Sequence, residues 1–230
     1  MKKQAILGLV SAAAIGLFTL AAPAVATPVL QTINLDQVYT GNTPDGPTPW
    51  LTATFSYDSG STTGTLVLQS HLSDSDFEQG ATGVTGWGFD IDGTLASFNC
   101  TSGTCADAVL TSSLNSGPVP GGFNFGFGWT SQNRFDGSDT ATYLLTFDSP
   151  LGSTSPFIAN DSGWLSYAHV QGITGGCSGY IVSGTGRLGT SDGPCMNVTV
   201  PEPEALGSLG MFGLGALMIG VFLGVRRRYC

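Results

Sequence analysis

Lysine is almost missing from this sequence. Both copies, Lys2 and Lys3, stand at the very start, and between Thr27 and Val200 the only cations are Arg134 and Arg187. The chain holds sixteen carboxylates; without Glu202 and Glu204, fourteen remain in that stretch, for a net charge of −12. Binding phosphate needs a basic face, so nucleic acid is excluded as a partner. Anionic membranes and anionic sugars could be met only through a bridging cation. Histidine is nearly as scarce, with His71 and His169 the two copies. No G-x-S-x-G elbow, HExxH pair, phosphate loop or dinucleotide fingerprint is present, so the reading is of a protein that is not an enzyme. Helical periodicity is also rare along the middle of the chain.

Charge is missing from both ends in long runs. The first, in MKKQAILGLVSAAAIGLFTLAAPAVATP, follows two lysines and closes on Ala24 and Ala26, which fit the small-x-small rule for signal peptidase. A cut after Ala26 removes residues 1–26 and sends the chain out of the cytoplasm. The second run, Leu206 to Val225, carries no charge over twenty residues. At about 1.5 Å of rise per residue a helix of that length matches the roughly 30 Å hydrocarbon core. Arg226, Arg227 and Arg228 follow, and the positive-inside tendency keeps them cytoplasmic.

The residues between, 27–200, are enough for one domain with a proper core. Abundant glycine, serine and threonine with little charge point to an exported β-rich body. Period-two alternation marks its strands. In WLTATFSY, Leu51, Ala53, Phe55 and Tyr57 share one face. In FNFGFGW, Phe123, Phe125, Phe127 and Trp129 line one side. TGWGFDI aligns Trp87, Phe89 and Ile91, and TGTLVLQS, ATYLLTF, WLSYAHVQGI, GYIVSG and MNVTV are further strands. With turn signals such as TPDGPTP and FDGSDT between them, the expected fold is all-β, an antiparallel sandwich of the jelly-roll or immunoglobulin-like kind, with a C-terminal transmembrane helix in the precursor.

Five cysteines fall as Cys100 with Cys105, Cys177 with Cys195, and Cys230 alone. Four are exported, and among the three possible connectivities the sequential one is expected. The carboxylates Asp74, Asp76 and Glu78, two apart in HLSDSDFEQG, together with Asp90 and Asp92 in GFDIDG, form the candidate Ca²⁺ site, since crowded oxygens suit a hard cation. The competing reading is a solvated acidic turn. His169 shares a strand face with Leu165, Tyr167 and Gln171 and reads as a packed structural histidine. Trp50, placed after TPDGPTP and opposite Leu51, is the candidate exposed platform for a sugar ring.

Pro201, Glu202 and Pro203 stand immediately before the second apolar run, and the arginine cluster closes it. That order of triplet, apolar helix and basic end resembles the PEP-CTERM sorting signal of Gram-negative bacteria that make exopolysaccharide. Two prolines flanking one residue hold the chain extended, a form that a membrane protease can bind. The resemblance implies cleavage by an exosortase near the triplet and loss of the tail. Glu204, Tyr229 and Cys230 depart from the usual composition of such tails. More loosely, the body is similar to a recurring type of PEP-CTERM precursor, in WLTATF, GWGFDID, FDGSDTATYLLTF and AHVQGI. The expected role is therefore structural or adhesive, at the cell surface or in the extracellular polysaccharide matrix of a biofilm. The alternatives are a carbohydrate-binding module, calcium-assisted or not, and an extracellular hydrolase.

Overall fold

The computed structural model describes residues 27–72, 83–114, 116–173 and 176–194. Every regular element among them is a strand. In chain order these are β1 (Pro28–Leu35), β2 (Gln37–Thr43), β3 (Leu51–Asp58), β4 (Thr63–Ser70), β5 (Gly83–Ile91), β6 (Leu95–Gly103) and β7 (Ala108–Leu110). There follow β8 (Phe125–Gly128), β9 (Thr140–Phe147), β10 (Phe157–Ile158), β11 (Trp164–Ile173), β12 (Cys177–Gly184) and β13 (Ser191–Pro194). The expected all-β class is therefore observed, and no helix among the described residues is long and apolar enough to cross a membrane. Residues 206–225, expected as a transmembrane helix, lie outside the described residues, as does MNVTV.

Two sheets form. One has five strands in the order β1-β3-β4-β9-β6; the other runs β13-β2-β12-β11-β5-β8-β7, with β10 paired to β5. All pairings are antiparallel except β13 with β2. In the smaller sheet β3, β4 and β9 follow their alternation strictly. Leu51, Ala53, Phe55 and Tyr57 of β3 and Leu66 and Leu68 of β4 are buried, while the residues between them are half-buried or exposed. That buried face meets Trp87, Phe89, Phe125 and Phe127 of the larger sheet in one core cluster. Phe127 and Tyr143 meet across the two sheets with ring centroids 4.4 Å apart. Phe157, held on β5 through β10, reaches Phe55 at 4.9 Å. Each large side chain buried this way contributes about 1.5–3 kcal/mol, and offset or edge-on aromatic pairs add to that.

The larger sheet is covered on its other face as well. Leu114, Val119 and Phe123 pack there on Trp164, Tyr167 and Val182 as a second cluster. Two expectations change as a result. Phe123 leaves the face of Phe125 and Phe127, because Asn124 turns the chain by bonding both the N–H and the carbonyl of Ile91. Leu165 does not share the face of His169 and Tyr167. A register shift between Trp164 and Ser166 breaks the alternation and sends Leu165 toward the main core. Glycine makes the second cluster possible: a Cβ on Gly88 would collide with the Tyr167 ring and lie 3.1 Å from Leu114 Cδ1. Gly88 and Gly126, which both stand against Leu114, thus open the outer surface of the sheet to a covering loop.

Candidate binding surface

The tryptophan expected to stand free does not. Trp50 is 6% exposed and belongs to the main core. Its N–H donates to the carbonyl of Leu35 at 3.1 Å, and its own carbonyl accepts from His71 at 2.8 Å. Its backbone is bonded on both sides, and its ring, packed in the core, offers no surface as a platform. Trp87, Trp129 and Trp164 are buried too. Two of them are fixed through their indoles: Trp87 Nε1 donates to Ser166 Oγ at 2.9 Å, and Trp129 Nε1 to the Thr104 carbonyl at 3.0 Å. Sugar stacking on tryptophan, the use expected of Trp50, has no exposed ring to rest on.

Of the expected calcium ligands, Asp74, Asp76 and Glu78 lie outside the described residues. Asp90 is half-buried on β5, and its carboxyl is pushed up by burial and then by the charges of Asp161 and Asp92. Among the described residues no three acidic, histidine or cysteine side chains come together as a metal site. Ala24, Ala26, Pro201, Glu202 and Pro203 also fall outside the described residues. Cys100 and Cys105 form the expected disulfide, with Cα atoms 5.9 Å apart. Cys177 is disulfide-bonded as well, while Cys195 lies outside the described residues.

Both histidines meet threonine hydroxyls. His71 Nε2 lies 2.9 Å from Thr52 Oγ1, and His169 Nδ1 lies 3.1 Å from Thr85 Oγ1. His169 also stacks on Tyr180, with ring centroids 4.2 Å apart and planes 7° from parallel. Burial holds its pKa below the ordinary histidine value. Neither ring contacts a carboxylate among the described residues. For His169 the geometry is that of a packed, stacking side chain.

The surface that does stand out comes from the residues between the buried ones in the five-stranded sheet. Register aligns them into rows across β1, β3, β4 and β9: Asn34, Thr52, Gln69 and Thr140; then Thr32, Thr54, Val67 and Thr142; then Leu30, Ser56, Thr65 and Leu144. These twelve positions carry no charge, although the body around them is strongly acidic. Thr52 Oγ1 donates to Asn34 Oδ1 at 3.3 Å, linking the first row to His71. In the third row Leu30 and Leu144 are 69% and 41% exposed. They border a groove of about 660 Å³, lined also by Ser56, Thr63, Thr65 and Asp58. Threonine is favoured there because a β-branched side chain suits a pleated strand. A threonine side chain carries both a methyl and a hydroxyl. The alternation of WLTATFSY sets Thr52, Thr54 and Ser56 on the face opposite Phe55, but does not show that four strands drawn from residues 28 to 147 lie side by side. No protein-family model matches the chain, and neither the curated proteins nor the solved structures contain a match to it.

Proposed function

We propose that this chain is made as a PEP-CTERM precursor and that its antiparallel body, a sandwich of the jelly-roll or immunoglobulin-like kind, serves a structural or adhesive role in the extracellular polysaccharide matrix. Signal peptidase acts after Ala26, and an exosortase reads Pro201, Glu202 and Pro203 ahead of the apolar run 206–225. The single observation that carries this reading is the ordered C-terminal sequence of proline-flanked glutamate, uncharged twenty-residue run and three arginines. The Cys100–Cys105 disulfide supports it, because such bonds persist in oxidising compartments and are rare in the cytosol. So does a body whose charges are few but almost all of one sign, since a net charge far from zero keeps a protein soluble.

The test is cell fractionation of the producing host. The protein should be recovered from the matrix, and a Pro201→Ala/Pro203→Ala variant should accumulate in the inner membrane at full tail length. Equal release of variant and parent would remove the triplet from the sorting step.

A further inference from the structure

We propose that the uncharged outer face of the five-stranded sheet binds a neutral polysaccharide, with the chain seated in the groove between Leu30 and Leu144 and bonded by the surrounding hydroxyls. This rests on the matrix reading and gives it a site. Charge decides the class of occupant. The exported stretch carries −12, so a polyanion is repelled from every side; a polycation would be drawn to the carboxylates, of which the three rows have none and the groove lining only Asp58. A neutral polymer of hydroxyls is the partner that loses nothing by lying on this face.

The chemistry of the groove agrees. A sugar ring is apolar on its C–H faces and polar at its rim. Leu30 and Leu144 supply the apolar contact, while Ser56 and Thr65 lie between them in the same register row. The hydroxyls of Ser56, Thr54, Thr65 and Thr142 have no hydrogen-bond partner among the described residues, so each is free to donate and to accept. Asp58 also lines the groove, and a carboxylate accepts strong hydrogen bonds from hydroxyls. Strand pairing sets neighbouring residues of a row about 4.8 Å apart across the sheet, with successive rows about 6.8 Å apart along the strands, a regular grid for a repeating ligand. A second copy of the chain suits the face less well. Only Leu30, Val67 and Leu144 of the twelve positions are apolar, whereas the buried centre of a stable interface is predominantly so.

The test is retention of the full-length chain, in detergent, on insoluble cellulose, cross-linked dextran and a cross-linked galactomannan, with cross-linked polygalacturonate as the anionic control. Retention is expected on at least one neutral polymer and not on polygalacturonate. Thr54→Val/Thr142→Val keeps the β-branched shape, removes two hydroxyls, and should weaken retention about tenfold. Thr54→Lys/Thr142→Lys should abolish it, and Ser178→Lys on the other sheet should leave it unchanged. Failure to bind any neutral polymer, or binding that ignores the valine and lysine pairs, overturns the proposal. So does a mass that doubles with concentration in the parent and not in the lysine pair, since that assigns the face to a second copy. Export is scored separately by fractionation: a matrix-located protein that binds no polymer removes this proposal alone.

Discussion

The Asn160 side chain joins two chain segments. Its Nδ2 donates to the carbonyls of Pro120 and Gly122 at 3.1 and 3.0 Å, and its Oδ1 accepts the N–H groups of Ser162 and Trp164, each at 3.0 Å. It thereby ties the covering loop before Phe123 to the start of β11. Only 6% of it is exposed, so its Asn-Asp-Ser sequon offers no free amide for glycosylation. Asn160→Ala leaves four backbone groups without their partner and should cost about 3 kcal/mol, read as a lower urea midpoint by tryptophan fluorescence. His169 gives a second prediction. Its half-buried ring titrates below about 6.5 in the folded chain and near that value in the unfolded one. Stability is therefore fully present above about pH 6.5, and it falls as the pH drops through the folded value, because the unfolded state takes up the proton first. His169→Gln should flatten that part of a urea-midpoint profile measured between pH 7.5 and 5. An unchanged slope would place the acid sensitivity elsewhere.

At the scale of elements, the glycines of β5 and β8 decide whether the second cluster exists. Gly88→Val forces a branched side chain into the space of the Tyr167 ring and Leu114, overpacking that costs about 1–3 kcal/mol. The near-ultraviolet circular dichroism of the aromatic side chains should weaken while the far-ultraviolet strand signal is retained. The same elements show what the sequence exposes and what it hides. β3, β4 and β9 are legible because a strand with one buried face must alternate, and theirs do so without exception. β1 is harder to read: Leu30 points out and Gln31 in, where its Nε2 reaches the Phe157 carbonyl, so apolar and polar positions trade places. β6 is an edge strand exposed along most of its length and has no buried face to impose a period. Trp50 misleads for a related reason. The turn residues before it suggest exposure, whereas its backbone is already paired to Leu35 and His71. The neutral face has no local signature at all, since it exists only through the pairing of β4 with β9 across more than sixty residues.

For the whole molecule, the proposal drawn from its two apolar end segments is of an acidic, cross-linked body that is delivered, trimmed and left outside. The described body has a core of interlocked aromatic rings between two sheets and a covering loop fixed by Asn160, and its outer rows are the face proposed to meet a neutral polymer. The most direct measurement is the intact mass of the protein recovered from its own host, taken before and after alkylation without reductant. Export with both cuts predicts a chain that begins at Thr27 and ends near Pro201, with Cys100, Cys105, Cys177 and Cys195 all resistant to alkylation. A mass equal to all 230 residues, with those four sulfurs alkylated, would contradict it.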